Sequence, residues 1–287
     1  MSTKARPGFP AKLDLPAPGK GRSLSQPGVS PAAAKLLTAK AVMPQPLAPL
    51  AAKPKAVLPP SRVQPPATAP RGLGLDSAAV RAAMVNKLAA QGVSDARVLS
   101  AMGQVERHRF VDSALAIQAY EDTSLPIGLG QTISKPGVVS RMIELLLEVH
   151  PDKPKRLLEI GTGCGYQAAV LAKVATEVFS MERLRGLHEK ARENLRPLRV
   201  PNLHLILGDG MLGYPQGAPY SGIIAAAGGE AVPQAWIDQL AVGGRLVAPV
   251  SQGGNQQALL VLDKTPQGIE QRLLEAVLFV PLKSGIA

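Results

Sequence analysis

The stretch Leu158-Glu159-Ile160-Gly161-Thr162-Gly163-Cys164-Gly165-Tyr166 decides the fold of this chain. It runs from the end of a short apolar segment, typical of a buried strand, into a segment with the composition of a helix. Such a turn needs glycine because it is tight and because a ligand must approach the backbone more closely than a side chain allows. The stretch therefore predicts a strand, turn and helix that together bind a nucleotide-like ligand.

The spacing of the glycines favours S-adenosylmethionine over a dinucleotide. In the dinucleotide-binding pattern the third small residue stands at the sixth position, but this chain has Tyr166 there and Gly165 one place earlier. An acid two residues before three alternating glycines is typical of S-adenosylmethionine binding, and here that acid is Glu159. We expect Glu159 to lie near the amino group and sulfonium of the cationic ligand. The residues predicted to form the turn around this cofactor are Gly161, Thr162, Gly163 and Gly165.

Two further acids follow the next two predicted strands. Glu182 ends the second strand, 21 residues after Gly161, where an acid can accept both ribose hydroxyls. Gly208-Asp209-Gly210 follows the third strand, and the carboxyl ends of parallel strands meet at one edge of a sheet. We expect Asp209 to accept from the adenine amino group, while Gly210 lets the base lie flat. A turn without a ligand is the alternative interpretation, and the position at this edge argues against it.

The apolar pattern after Pro154 predicts an α/β fold. Helix-length spacers separate its first runs, which indicates βαβ units and a parallel sheet; these runs are 156–160, 177–181, 203–207, 220–226 and 245–250. The last two runs, 257–262 and 272–280, have only a short turn between them, so they should form an antiparallel hairpin at the far end of the sheet. Seven mostly parallel strands with a C-terminal hairpin describe the Rossmann-like fold of class I methyltransferases.

A small helical subdomain is predicted ahead of that sheet. A first helix is expected from Ser77, with Gly92 closing it and apolar residues at four-residue spacing: Val80, Met84 and Leu88. A second, short helix should follow from about Ser94.

The chain between these helices and the sheet has two predicted features. From Arg109 to Gly130 it is rich in Gly, Pro and turn formers, which predicts irregular chain rather than part of a sheet. Pro136 should open a third helix, because its fixed φ suits the first helical position. Ser134, just before it, is a candidate cap for that helix.

The net charge of +11 belongs almost entirely to the N-terminal part of the chain. Residues 1–75 carry 11 Lys and Arg against Asp14 alone, whereas residues 76–287 carry 21 Lys and Arg against 20 acids. Residues 1–75 are also rich in Pro and Ala without apolar periodicity, which predicts a disordered tail before a folded domain at 76–287. The tail is expected to make weak contacts with acidic partners, nucleic acid or anionic lipid, or to act as a solvated linker; a targeting role is a further alternative.

Composition also excludes several classes of protein. No run approaches the ~20 apolar residues that cross a bilayer. Cys164 is the only cysteine, so no internal disulfide can form, and we expect a reducing cytoplasm. The histidines do not show the close spacing of paired metal ligands, which argues against a metal site; they are His108, His150, His188 and His204.

From about residue 76 to 285 the chain resembles the protein-L-isoaspartate O-methyltransferase family. The stretch from Gly128 to Ser134 is the diagnostic one, because general methyltransferases share the glycine turn but not this segment. The segments that carry the resemblance, besides that turn, are Arg109-Phe110-Val111, Ala119-Tyr120-Glu121-Asp122, Leu125-Pro126-Ile127-Gly128, Gly130-Gln131-Thr132-Ile133-Ser134, Ala191-Arg192, Gly208-Asp209-Gly210, Gly243-Gly244-Arg245-Leu246-Val247 and Phe279-Val280-Pro281-Leu282.

The resemblance implies a reaction and a second set of site residues. Ser134 corresponds to the family's active-site serine, and Thr132 borders the methyl-transfer site with it. The implied groove for the peptide substrate is lined by Leu125, Pro126, Ile127 and Gly128. The implied reaction methylates the free α-carboxylate of L-isoaspartyl residues in damaged proteins, and the ester then closes to a succinimide that reopens partly to aspartate. A carboxylate is ionised at neutral pH, so it needs no general base to attack.

The sequence departs from the family pattern at two places. Tyr220-Ser221-Gly222-Ile223 has Ser221 where the family has an aspartate, so a carboxylate expected near the cofactor is missing. Cys164 replaces a small residue of the turn, either as a packed side chain or as a modestly reactive thiol. Two alternative functions stay open. The basic tail is the argument for a methyltransferase of the same fold that acts on RNA or a small molecule, and Ser221 is the argument for a cofactor-binding adaptor with little activity.

Overall fold

The structure is a computed structural model that describes residues 78–254 and 256–287. The predicted basic tail at residues 1–75 lies outside the described residues, so what the sequence predicts for it stays a prediction.

A seven-stranded sheet organises the described part of the chain. The described residues form nine strands, of which the last seven make up this sheet. In chain order they are β1 (Leu125–Gly128), β2 (Gln131–Ile133), β3 (Arg156–Ile160), β4 (Glu177–Glu182), β5 (Leu203–Leu207), β6 (Tyr220–Ala225), β7 (Leu240–Ser251), β8 (Gln257–Thr265) and β9 (Gly268–Val277). The sheet has the spatial order β5-β4-β3-β6-β7-β8-β9. It is parallel from β5 to β7 and antiparallel through β8 and β9. The predicted α/β class and the C-terminal hairpin are both confirmed.

The helices flank this sheet and include the predicted N-terminal pair. They are α1 (Ala78–Ala90), α2 (Ala96–Gln104), α3 (Pro136–Leu147), α4 (Tyr166–Val174), α5 (Arg185–Leu195) and α6 (Gln234–Gln239). Met84 and Leu88 of α1 are buried, and Gly92 follows that helix with φ +106°. Asp95 caps α2, since its side chain accepts hydrogen bonds from the second and third residues of the segment that follows it.

Alternation along the strands divides the core between the two faces of the sheet. Leu157 and Ile224 belong to the larger cluster, which includes the buried faces of α1 to α5. Their neighbours Leu158 and Ile223 belong to a smaller cluster that surrounds Trp236 of α6. Burial on both faces explains why the central strands read as continuous apolar runs.

The stretch predicted to be irregular contains a β-hairpin, which corrects the prediction. Leu125 pairs with Ile133 and Pro126 with Thr132, in an antiparallel pair that stands apart from the main sheet. The sequence did not predict this hairpin because β1 is only four residues long and contains Pro126. Within sheets, proline is confined mainly to edge strands. The hairpin turns through Gly128, Leu129 and Gly130, all with positive φ.

The start of α3 also differs from the prediction, because Ser134 does not cap it. Lys135 is the N-cap and makes no side-chain capping bond, while Pro136 occupies the first turn. The residue before a proline is held in extended conformation, so Ser134 falls one place too early to cap. The first free N–H of the helix, that of Gly137, instead donates to Oδ1 of Asp122 at 2.7 Å. Asp122 thereby fixes the position of Ser134 and Lys135 relative to the rest of the fold.

Candidate active site

A cavity of about 480 Å³ lies at the carboxyl edge of the parallel strands. Open α/β sheets bind ligands along that edge, and the volume falls in the range of small-molecule sites. Its walls include the glycine turn, the end of β4, the β1–β2 hairpin and the segment after β9.

The predicted glycine turn forms one wall of this cavity. Gly161 and Gly163 have φ of +92° and +56°, a conformation that side chains with a Cβ rarely adopt. A Cβ on Gly163 would lie 3.2 Å from Cδ1 of Ile127 in the hairpin, so glycine also permits the hairpin to close over the turn. The Gly161 N–H donates to the carbonyl of Met181 at 2.8 Å, which ties the turn to β4.

The four predicted turn residues do not all face the cavity. Gly161, Thr162 and Gly163 line it, whereas Gly165 lies against α5. A Cβ on Gly165 would meet Cδ1 of Leu195 at 2.8 Å. Gly165 therefore permits close helix packing behind the turn rather than ligand contact.

Glu182 lines the cavity at the predicted end of β4. Its Oε2 accepts from the Gly163 N–H and its Oε1 from the Leu184 N–H, both at 2.9 Å. Each carboxylate oxygen can accept a second hydrogen bond, so this side chain is held in place and still has free lone pairs. That arrangement fits a pair of ribose hydroxyls.

Glu159 is fully buried behind the glycine turn and does not line the cavity. Its Oε2 accepts from the Ser180 hydroxyl, which lies 2.6 Å from Oγ1 of Thr162. Its Oε1 has no hydrogen-bond partner among the residues that the structure describes. Burial raises the pKa of Glu159 to about 8. The predicted position of Glu159 near the amino group and sulfonium of the cofactor stays a prediction, because the turn lies between this side chain and the cavity.

Asp209 and Gly210 take different places at the edge of the sheet. Gly210 lines the cavity, and its carbonyl accepts from Nε1 of Trp236 at 2.7 Å. The Asp209 side chain points elsewhere: Oδ1 accepts from Met211 N at 2.9 Å and Oδ2 from Gly285 N at 2.7 Å. The adenine contact predicted for Asp209 therefore requires Gly285 to share that carboxylate or to release it.

Thr132 and Ser134 line the cavity opposite the glycine turn, and they also line a second cavity of about 370 Å³. Ala226 and Val280 are shared between the two cavities as well. The remaining residues of the second cavity are Ser124, Lys135, Val138, Ala276, Val277, Leu278 and Phe279. The two predicted catalytic hydroxyls thus stand where the two cavities meet.

The four residues predicted to line the peptide groove lie on β1 but do not line the second cavity. Leu125 and Ile127 are buried, and Ile127 lines the first cavity. Pro126 and Gly128 point outward on the exposed side of the hairpin. Their contact with a peptide stays a prediction; Pro126 pairs with Thr132, which lines the second cavity, so these two side chains share one face of the hairpin.

The sequence reasoning missed the segment after β9, which closes the first cavity. Val280, Pro281, Leu282 and Lys283 line that cavity. Arg183 holds the following residues, because its Nε donates to the carbonyl of Gly285 at 3.0 Å. Phe279-Val280-Pro281-Leu282 is one of the segments that carry the resemblance, but the resemblance implies no role for it. Its pairing with a loop far away in sequence leaves no local signal.

Ser221 does not lie near the cofactor cavity. Ser221 lies near the start of β6, whereas the cavity lies past the end of that strand, about 13 Å away at 3.3 Å per residue. Its carbonyl accepts from Nε2 of His150 at 3.0 Å. The expectation of a missing carboxylate near the cofactor is therefore wrong.

The thiol of Cys164 behaves as a packed small side chain. It is buried, and burial raises its pKa to about 11. A thiol with such a pKa is almost entirely protonated at neutral pH and is a poor nucleophile.

Metal ligands and membrane spans are not found in the described residues. Within 78–254 and 256–287, no three His, Cys, Asp or Glu side chains are grouped so as to hold a metal ion. The helices of the same ranges are too short or too polar to cross a bilayer.

The cavity has the parts that S-adenosylmethionine requires. Glu182 offers two fixed acceptors for ribose hydroxyls, and the glycine turn lets a ligand lie against the backbone. Ile160, Met181 and Leu187 add apolar walls for a base. Sheet, edge and cavity together define a class I methyltransferase whose cofactor is S-adenosylmethionine.

Comparison with known proteins gives the family. A family model described as protein-L-isoaspartate(D-aspartate) O-methyltransferase matches residues 79–287. A protein-L-isoaspartate O-methyltransferase of Methylibium petroleiphilum is 64% identical over 223 residues, which cover 76% of this chain and 82% of that relative. Another of Ralstonia nicotianae is 57% identical over 227 residues, which cover 74% and 71% of the two chains. This chain belongs to the protein-L-isoaspartate O-methyltransferase family.

Solved structures agree with the fold. One chain described as protein-L-isoaspartate O-methyltransferase is 29% identical with a TM-score of 0.66, over 72% of this chain and 67% of that one. A chain from Plasmodium falciparum, solved in complex with S-adenosyl-L-homocysteine, has a TM-score of 0.63 at 24% identity and covers 71% of this chain and 98% of its own. The second likeness supports the fold alone.

Proposed function

We propose that this chain methylates the free α-carboxylate of L-isoaspartyl residues at the junction between its two cavities. S-adenosylmethionine occupies the first cavity, and the damaged peptide occupies the second. One observation carries this assignment: Thr132 and Ser134 line both cavities, so a group held by their hydroxyls can face the cofactor.

The residues at this junction suit a carboxylate acceptor. The cofactor supplies an electrophilic methyl group when it is bound. The acceptor is already ionised at neutral pH, so the protein has to orient it rather than deprotonate it. The hydroxyls of Thr132 and Ser134 can donate hydrogen bonds to one carboxylate oxygen and leave the other directed at the first cavity.

The walls of the second cavity favour an extended peptide. Val138 and the segment 276–280 give it an apolar side that strips water from the acceptor. Leu278 is 85% exposed at this wall, more than the other large apolar side chains described as exposed. We propose that Leu278 packs against a residue of the peptide that flanks the damaged site.

Methylation prepares the damaged residue for repair. An ester is a better leaving group than a carboxylate, so the backbone nitrogen of the peptide closes a succinimide and releases methanol. Hydrolysis of that ring then returns part of the product to normal aspartate. The protein's own task is complete at the methyl ester.

Transfer of labelled methyl from S-adenosylmethionine to two matched peptides tests the proposed function. We expect base-labile label on a peptide that contains isoaspartate and none on the same peptide with aspartate. Label on RNA or a small molecule but on neither peptide would contradict the proposal in favour of another acceptor. Cofactor binding without transfer to any acceptor would instead indicate an adaptor.

Two coarser expectations complete the proposal. We propose that the protein acts in the cytoplasm, which is supported by its single cysteine, buried as a free thiol. We also propose that residues 1–75 form a tail outside the methyltransferase domain at 76–287, with weak contacts to acidic partners or nucleic acid. Its net charge of +10 supports the second point.

A further inference from the structure

The charge in the lining of the second cavity is positive. Its lining has three hydroxyl side chains, from Ser124, Thr132 and Ser134, and an apolar wall on the other side. Lys135 is the charged side chain in that lining, and no carboxylate of the described residues is part of it. A peptide in this cavity therefore meets one positive charge next to the hydroxyls that hold the acceptor.

The charge of Lys135 is not neutralised by the fold. Its side chain is exposed and forms no ion pair with any residue in the described ranges. Arg141, six residues further on and within α3, differs in that respect, since it pairs with Glu144 at 3.3 Å and with Glu275 at 3.2 Å. Neighbouring acids are thus already engaged with another cation.

The backbone holds Lys135 in place beside the acceptor. Lys135 has φ −59° and ψ 147°, the extended conformation that a following proline imposes. Asp122 anchors the next turn of chain through the N–H of Gly137. The fixed backbone at Lys135 therefore sets the direction from which its side chain enters the cavity. The ammonium group itself stays free to move.

The reaction itself shows which carboxylate such a cation serves. The acceptor carboxylate loses its charge as the methyl group is transferred, so a cation paired with it would bind the substrate better than the transition state. A second carboxylate on the peptide keeps its charge throughout and can pair with the cation without a cost to turnover. An extended chain advances about 3.3–3.6 Å per residue, so a side chain one or two residues away lies within reach of a lysine.

We propose that Lys135 is a specificity-determining residue that favours isoaspartyl sites with an Asp or Glu one or two residues away. This inference rests on the proposed function and names the substrate class of that same site. Attraction to a flanking acid acts equally on bound substrate and transition state, so it lowers KM and leaves kcat unchanged. The effect also weakens with salt, because the ion pair is exposed to solvent.

A panel of isoaspartyl peptides tests the proposal with the full-length chain. The peptides are identical except for Glu or Gln at one position, taken in turn two before, one before, one after and two after the isoaspartate. Initial rates of methylation give kcat and KM for wild type, Lys135→Met and Lys135→Glu. Lys153→Met is the matched control, since Lys153 is an exposed lysine in the loop before β3, at the opposite edge of the sheet.

For at least one position, wild type should prefer Glu over Gln by about threefold to fivefold in KM at low salt, the size of an exposed ion pair. Lys135→Met should abolish that preference, Lys135→Glu should reverse it, and Lys153→Met should keep it. Equal KM values for Glu and Gln at all four positions, with normal methylation, would overturn the inference while leaving the proposed function intact. A fall in kcat on every peptide alike would also overturn it, because Lys135 would then act on the acceptor. No methylation of any peptide by wild type would contradict the proposed function itself.

Discussion

At the scale of single residues, the site depends on acids whose surroundings differ. Glu182 keeps its carboxylate at the cavity wall under two backbone N–H groups, whereas Glu159 is enclosed behind the turn. The spacing of the motif predicted both positions, because an acid before the glycines and one after the next strand are local features. It did not predict their different exposure, which depends on how β3, β4 and the turn pack together. The sequence also did not predict that Asp122 accepts a hydrogen bond from the first turn of α3. Its partner Gly137 lies 15 residues further along the chain, beyond the hairpin.

Glu159 gives the first prediction at this scale, concerning stability against pH. Burial raises its pKa from 4.5 to about 8, so the folded state holds a proton that the unfolded state loses. This stability is fully present below pH 4.5 and is lost as pH rises toward about 8. Glu159→Gln keeps a neutral side chain at all pH values. Its melting temperature, measured without cofactor, should decline less than that of wild type across this window. Parallel melting curves for the two proteins would contradict the assigned protonation state.

At the scale of elements, the β1–β2 hairpin is essential to the site, yet the sequence did not predict it. It carries Thr132, and its Ile127 closes over Gly163. The hairpin is too short to show a reliable alternation, and its proline and glycines read as loop signals. Its stability comes from tertiary contacts: Leu129 packs near Gly186 of α5, and Nζ of Lys190 donates to the Ile127 carbonyl at 2.9 Å.

The contact of Lys190 predicts a change in cofactor release. Lys190→Met removes the donor that holds the hairpin, so the hairpin should open more often. We expect S-adenosylhomocysteine to dissociate about threefold to tenfold faster, which corresponds to the net contribution of about 0.5–1.5 kcal/mol of one hydrogen bond. Stopped-flow displacement measures this rate, and Lys173→Met, an exposed lysine of α4, is the control. A dissociation rate equal to that of wild type would show that the hairpin is held by packing alone.

At the scale of the whole molecule, the fold followed from local patterns because each βαβ unit carries its own signal. Strand runs, spacer lengths and the turn before the last strand predicted the sheet and its antiparallel end. The closing segment 280–283 could not be predicted in this way. Arg183 and Gly285, which hold it, are 102 residues apart, so nothing short-range in the sequence connects them.

The assembly of both cavities from one stretch of chain predicts that the tail is dispensable for catalysis. Among the residues that the structure describes, those that line the two cavities fall between Ser124 and Lys283. A chain lacking residues 1–70 should therefore methylate an isoaspartyl peptide with the same kcat/KM as the full chain. Side-by-side initial rates check this. An inactive but folded product, judged by circular dichroism, would place part of the tail in the site.

The central claim is that the hydroxyls at the junction of the two cavities hold the acceptor carboxylate. The most direct test is the single-turnover rate of methyl transfer, with enzyme and S-adenosylmethionine premixed and isoaspartyl peptide added, in wild type, Ser134→Ala and Thr132→Val. Each hydroxyl orients the acceptor toward the methyl group, and a small misplacement of the reacting atoms can cost about a hundredfold, so each change should slow transfer by roughly tenfold to a hundredfold. Cofactor affinity should stay close to that of wild type, because neither hydroxyl is assigned to the cofactor. A transfer rate unchanged in both variants would contradict this account, since the acceptor would then be held elsewhere.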